Sequence, residues 1–390
     1  MMRTLHAHTH EIDDVETAIE EILAQINVKD NLRAHSVGII ACHYEFIGSG
    51  VYRAITEALP FDIVGATSMK QALADETDTL LLTLMVLTSD EDSFSVALTG
   101  SMRGSLEEAR IERSYREAAA RLPSPPSLLL SYVPLLNLIG HACDDFVEEI
   151  ARISGSVPCF GTMPIDDTED YEFCLVLHNG EQYADRAAMI LIQSTAVPQF
   201  FIATISPEKI LDKTALVTKS NRNILQEVNG RPAREYFAGM GLATAANTQY
   251  AMSALPFLFD YGDGTPRASK VFFSTTPEGY SVCAGLIPEG TTLSIGMFDR
   301  ADVLRTTGNA LDSALAGAQD ASFMLIYSCI TRCMSLGSNS MAELRLAQSK
   351  IGDKLPFMMA YSGGEICPIQ ISSATSVNRF HNNALIICVM

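Results

Sequence analysis

The chain has 390 residues, of which 47% are hydrophobic and 19% charged, and a formal net charge of −19 at pH 7. That is enough apolar material for one large duplicated domain or for two or three domains with sizeable cores, and it excludes intrinsic disorder. The negative balance, with no run of Lys and Arg to offset it, argues against nucleic acid or an anionic membrane as a partner and is read as solubility.

The residues Met1 to His10 lack the apolar core of a signal peptide. The longest apolar runs, such as Leu80 to Leu87, have strand length and fall short of the ~18 residues of a membrane span, so no membrane insertion is expected. Nine cysteines are scattered, mostly inside apolar runs. Their odd count and lack of a framework point to free thiols in a reducing cytoplasm. His6-Ala-His-Thr-His10 reads as a disordered terminus that takes up nickel or zinc adventitiously, and no metal site is assigned.

In chain order, Asp13 or Asp14 caps a first helix with Val15, Ala18, Ile19, Ile22, Leu23 and Ile26 on one stripe. Val37-Gly-Ile-Ile-Ala-Cys42 is a buried strand, Ser49 to Leu59 a helix, and Phe61-Asp-Ile-Val-Gly-Ala-Thr67 a second strand. Strands at Thr79 to Thr88 and Phe94 to Thr99 follow. A capping box at Ser105-Leu-Glu-Glu108 opens a helix that runs to about Leu122 and stops before Ser124-Pro-Pro126. The order then recurs: strand Ser127 to Val133, helix Asp144 to Ile153, strand Val157 to Thr162, then strands at Tyr171 to His178, Ala187 to Gln193 and Phe200 to Ile205. It recurs again at the C-terminus. Ser322-Phe-Met-Leu-Ile-Tyr-Ser-Cys-Ile-Thr-Arg332 is an apolar segment, and a helix-like segment runs to about Lys354. Pro356-Phe-Met-Met-Ala-Tyr-Ser-Gly-Gly-Glu365 is a second apolar segment and Ala384 to Met390 the last. Each copy has strand, helix, short strand with glycine (Gly65, Gly161, Gly363-Gly364), polar connection and longer strand, which reads as divergent duplication. A β-rich block from Ala215 to Met297 and a helix from about Asp302 lie between the second and third copies.

The fold class expected is α/β (α+β): large mixed sheets with helices packed outside, layered α-β-β-α. Three segments are drawn: an N-terminal tail and helix over 1–35, then domains over 36–196 and 197–390, with the boundary near Ser194 to Pro198. Polar residues gather where the C-terminal apolar runs end, which is how buried strands build a ligand site on a rim. The candidates are Cys329, Arg332, Gly363, Gly364, Glu365, Asn378, His381 and Asn382. Arg332 can fork onto a ligand carboxylate or onto Glu365, or serve a structural ion pair. Gly363-Gly364 lets the backbone approach something closely before Glu365 presents an acid, or simply makes a tight turn. Together Arg332 and Glu365 would suit the carboxylate and ammonium of an amino acid. His381 is a ligand contact, an acid/base, an axial haem ligand or a satisfied core histidine. No nucleophile elbow, Walker loop or dinucleotide fingerprint is present, and no enzyme is expected.

Tyr327-Ser-Cys-Ile-Thr-Arg332, Ser340-Met-Ala-Glu343, Ser362-Gly-Gly-Glu-Ile-Cys-Pro368 and Phe380-His-Asn382 resemble the C-terminal part of the FIST family, whose name covers F-box and intracellular signal transduction proteins. Gly65-Ala-Thr-Ser68, and Pro158-Cys-Phe-Gly161 followed by Asp166-Asp167, are similar to its N-terminal part. Met69-Lys-Gln-Ala72 stands where the family often has Gly-Glu-Ile, and no F-box-like, kinase, cyclase or methyl-accepting segment flanks the match. The resemblance implies a free-standing cytoplasmic sensory module. It would bind a small molecule, an amino acid or related metabolite, and inform a separate output protein, a histidine kinase or cyclic-di-nucleotide enzyme. Haem-based nitric oxide sensing is the alternative it implies, with no cofactor otherwise expected. A scaffold with a shallow or filled crevice is the third reading.

Overall fold

Along the strand His35–Cys42, Val37, Ile39 and Ala41 enter one apolar cluster and Ile40 and Cys42 another. A strand buried on both faces reads as a continuous apolar run, which is why this segment shows no alternation. The same division holds in Leu128–Tyr132 and Met324–Cys329. Leu128, Leu130, Tyr132, Leu325 and Tyr327 join Val37 in a common central core, while Leu129, Met324 and Ile326 pack outward. Three sheets therefore face one shared core. Each is backed by its own helices, so a section through any two sheets reads α-β-β-α. The computed structural model describes residues 2–103, 108–135, 143–155, 157–242, 255–297, 299–372 and 375–390.

The three sheets have one design. In the first, the strand order is Arg3–Thr9, Leu82–Ser89, His35–Cys42, Asp62–Thr67 and then the hairpin Val176–His178/Glu181–Tyr183. In the second it is Ser93–Leu98, Ala188–Gln193, Leu128–Tyr132, Cys159–Met163 and the hairpin Gly364–Ser372/Thr375–His381. In the third it is Gln199–Ala203, Leu385–Val389, Met324–Cys329, Phe357–Ser362 and the hairpin Gln71–Ala72/Thr77–Asp78. The two central strands of each sheet are parallel and the other pairs antiparallel. Each third of the chain thus builds four strands of its own sheet and sends its hairpin to another. The first third sends its hairpin to the third sheet, the third to the second, and the second to the first.

The duplication expected from the sequence is present, and its unit is longer than the expected one. Each copy starts one strand and one helix earlier: Arg3–Thr9 with Val15–Ile26, Ser93–Leu98 with Glu108–Ala119, and Gln199–Ala203 with Arg300–Gly317. The histidine tract is accordingly no disordered tail. His6 and His8 lie on strand Arg3–Thr9, paired in register with Leu82–Thr88, with Leu5 and Ala7 in the outer core, and His10 follows directly after it. Asp14 caps the first helix by accepting from the Thr17 N–H at 3.1 Å. Asp299 and Asp302 form a reciprocal capping box on Arg300–Gly317. Ser105 and most of its expected box lie outside the described residues. In the central parallel pairs, a Cβ on Gly65 would lie 1.7 Å from the Ile40 carbonyl oxygen, and one on Gly161 would lie 2.0 Å from that of Ser131. Only a missing side chain lets those strands approach so closely.

The β-rich block is an insertion in the third copy, between Gln199–Ala203 and Arg300–Gly317. It forms a fourth sheet in the order Ala268–Lys270, Phe257–Asp260, Thr292–Gly296, Ile210–Asn221, Ile224–Val228, Ser281–Cys283, Phe272–Thr275. Its own core holds Phe237, Phe257, Phe259 and Phe272. No helix among the described residues is long and apolar enough to cross a membrane.

Candidate functional site

At the end of the third sheet the chain leaves Phe357–Ser362, turns through Gly363 and enters the second sheet as Gly364–Ser372. The corner is tight: the Gly363 N–H donates to the Met163 carbonyl at 3.0 Å, and a Cβ on Gly364 would meet the Phe380 ring at 2.5 Å. The glycines let the chain cross from one sheet to the next, which unites the two readings of the sequence, close approach and tight turn.

Glu365 follows at once, and its partner across the antiparallel ladder is His381. Directly opposed residues project from the same face, with Cβ atoms about 4.5–5.5 Å apart. Cys367, two residues on, lies in the central core, while Ile366 and Phe380 join the outer cluster of the second sheet. The Glu365/His381 face is therefore the inner one. Glu365 is fully buried; its Oε1 accepts from the Ser362 hydroxyl and its Oε2 has no protein partner. Burial, only partly offset by the Ser362 hydroxyl and the Ala384 backbone, pushes this carboxyl well above the usual range and favours the neutral acid. His381 is also buried, and its Nε2 has no protein partner. Burial, with Lys270 adding to it, lowers this imidazole to about 3, so the ring is neutral. Cys329 ends the neighbouring strand beneath them. Burial first, then the Glu365 carboxyl, raises its thiol to about 12, which removes it as a nucleophile.

Arg332 goes elsewhere. Strand Met324–Cys329 stops three residues before it, and Arg332 sits on the helix Ile330–Leu336. Its Nε and Nη2 each reach Glu343 Oε1 at 2.9 Å, and Nη2 also donates to the Val303 carbonyl at 3.1 Å and to Thr307 Oγ1 at 2.8 Å. Glu343 accepts two more bonds, from Thr307 and Ser328, at 2.5 and 2.7 Å. Both charged groups are buried and mutually satisfied, so the structural ion pair is the reading that holds, with Glu343 rather than Glu365 as the partner. Asn378 is also structural. It lies in the middle of the hairpin, where Oδ1 accepts from the Cys159 N–H at 2.9 Å and Nδ2 donates to the Val157 carbonyl at 3.0 Å.

Asn382 and Asn383 tie the hairpin to the fourth sheet. The Asn382 N–H donates to the Ser269 carbonyl at 2.9 Å, and Asn383 Nδ2 donates to Ser269 Oγ at 3.0 Å. Asn383, held in the left-handed region at φ 55°, leaves its Oδ1 as another buried atom without a protein partner. Beside them Lys270, fully buried, donates to both Asp144 oxygens at 2.9 and 3.0 Å and to the Phe380 carbonyl at 2.9 Å, with its ammonium 4.5 Å from the Phe380 ring centroid. Burial works against that charge, but the facing Asp144 carboxylate outweighs it and holds the ammonium above its ordinary value.

The structure thus gathers Cys329, Gly363, Gly364, Glu365, His381 and Asn382 at one seam between the second and third sheets, and leaves Arg332 and Asn378 out of it. It adds Ser362, Asn383, Lys270 and Asp144. A lone lysine inside the apolar run from Ala268 to Phe273 is the one sequence signal that points to Lys270. Cys329, Glu365, His381, Asn382, Asn383 and Lys270 are all buried there. Shallow grooves lie elsewhere, under Tyr44 and Phe173 and beside Phe200 to Pro207, and are lined by none of the eight candidate residues.

The FIST N domain family matches residues 36–231 and the FIST C domain family residues 234–368. No curated protein matches the chain. Among solved structures, a cyanuric acid hydrolase from A. caulinodans aligns over 100% of this chain and 99% of its own at 8% identity, with a TM-score of 0.41, a likeness too distant to carry an argument. The two family matches run almost without a break through most of the length: the chain belongs to the FIST family, whose domains are generally sensory, small-ligand-binding parts of signal transduction.

Proposed function

We propose that this protein senses a small molecule at the seam formed by Ser362 to Glu365 and His381 to Asn383. The observation that carries the reading is the pair of buried polar atoms, Glu365 Oε2 and His381 Nε2, that project from one face of the hairpin without protein partners. Buried polar groups are nearly always satisfied, and two unpartnered atoms on one face call for a partner from outside the chain, a water or a guest. Binding would move the hairpin, and the Lys270–Asp144 clasp would pass that movement to the fourth sheet, where a separate histidine kinase or cyclic-di-nucleotide enzyme would read it.

An amino acid or related metabolite remains the ligand class of first test, although its carboxylate loses the partner that Arg332 was expected to provide. The free Nε2 of His381 is the atom an axial haem ligand needs, but the close packing around Gly364 and Phe380 disfavours a macrocycle there. The test is a thermal-shift panel of amino acids and polar metabolites together with an absorption spectrum. A ligand at ten times its dissociation constant stabilises by about 1.4 kcal/mol by mass action alone. A panel flat for charged and uncharged compounds alike sinks the sensor reading and favours a scaffold, whereas a Soret band would move the assignment to haem.

A further inference from the structure

The chemistry at this seam specifies more than a site, and the step that follows rests on the sensing role just given. Three formal charge pairs surround it, and each is matched within the protein: Arg332 with Glu343, Lys270 with Asp144, and Arg379 with Asp263. Among the described residues these pairs leave a charged guest no free counter-charge, so it would enter at the cost of an uncompensated buried ion. An uncharged guest meets no such cost.

The two free atoms also differ in kind. Glu365 Oε1 accepts from the Ser362 hydroxyl, the Ala384 backbone and the Cys329 thiol also bond this carboxyl, and with the proton of the neutral acid on the unpartnered Oε2 that atom is a donor. A backbone hydrogen bond at Cys367 favours a proton on the His381 ring; with that proton on Nδ1, Nε2 is a lone-pair acceptor. Donor and acceptor stand side by side on adjacent strands, aimed from the same face.

We propose that Glu365 and His381 read the edge of a cis amide, the acid hydroxyl donating to the ligand carbonyl oxygen and the ring nitrogen accepting from the ligand N–H. The ligand class is then small, uncharged lactams, cyclic imides and ureides. A trans amide places its N–H and C=O on opposite sides of a planar unit and cannot meet both groups at once.

The experiment is calorimetric titration and thermal shift on the full chain with 2-pyrrolidone and hydantoin as probes, N-methylacetamide as the trans-amide control, and glycine and glutamate as charged controls. The two cyclic probes should bind and N-methylacetamide should not. Glu365→Met removes the donor and should weaken binding about tenfold or more, and Glu365→Gln, which restores a donor where Oε2 stands and an acceptor for Ser362, should recover most of that loss. His381→Phe removes the acceptor and should weaken binding about tenfold or more. Binding of glycine or glutamate without the cyclic probes would overturn the ligand class and leave the sensing seam standing. No binding by any compound would overturn both. Equal binding of N-methylacetamide, or full affinity in His381→Phe, would overturn the two-point reading; should His381→Phe fail to fold, the trans-amide control and Glu365→Gln still decide.

Discussion

Replacing Arg332 by methionine separates a structural role from a ligand role. Methionine keeps an unbranched apolar stem and removes the guanidinium. Glu343, fully buried, would then keep uncharged partners, the hydroxyls of Thr307 and Ser328 among them, and the Val303 carbonyl would lose a donor. Removing one partner of a buried ion pair costs about 3–5 kcal/mol, because the remaining charge stays desolvated. For a chain of this length that corresponds to a melting temperature lower by about 4–6 °C. The assay is urea denaturation and calorimetry on Arg332→Met, Glu343→Gln and the double variant. The double variant should recover about 1–3 kcal/mol relative to Arg332→Met, since the neutral amide that replaces the carboxylate can still accept from the two hydroxyls. An Arg332→Met protein within about 1 kcal/mol of the parent would refute the ion-pair account, all the more if ligand binding vanished instead.

Four further outcomes are expected. His381 is lowered from 6.5 to about 3 in the fold, so the unfolded chain binds its proton first and stability falls with pH from about 6.5 towards 3. Between pH 7.5 and 5.5 this residue should account for about 1.4 kcal/mol of loss, seen as a shallower decline in His381→Phe; equal slopes would count against it. Glu365 has the opposite sign: its neutral form is favoured, so its contribution is complete below the ordinary carboxylate range and is lost as pH rises through the raised value. Asp144→Ala should cost about 3–5 kcal/mol and speed hydrogen exchange in the fourth sheet, with Asp144→Leu/Lys270→Met recovering most of the loss; a double variant worse than the single one would contradict this. Gly161→Ala should reduce stability by more than about 3 kcal/mol or prevent soluble folding, because the Ser131 carbonyl must move, whereas Gly48→Ala, which meets nothing within 4 Å, should change it by less than about 0.5 kcal/mol.

The strands of the shared core are legible in the sequence because burial on both faces leaves unbroken apolar runs, as in Val37 to Cys42 and Ala384 to Met390. Helices with one apolar stripe, such as Val15–Ile26, are legible for the complementary reason. The edge strand Arg3–Thr9 is not, because its alternating histidines mask the two small apolar residues, Leu5 and Ala7, that anchor it. Which sheet each hairpin joins depends on pairings hundreds of residues apart, such as Met359 with Ala72, and no local pattern records them. Glu365 and His381 can be picked out together because both stand where an apolar run meets polar residues. Arg332 misleads because the apolar run hides the change at Ile330 from strand to helix, and that change turns the side chain away to Glu343.

The circular trading of hairpins has a consequence for how the chain can be cut. Excising any one third removes a whole sheet, strips the outer ribbon from a second and leaves a third ribbon with nothing to lean on. None of the thirds is a self-sufficient fragment, so the polypeptide is committed to being made and held as one closed ring of mutual lenders.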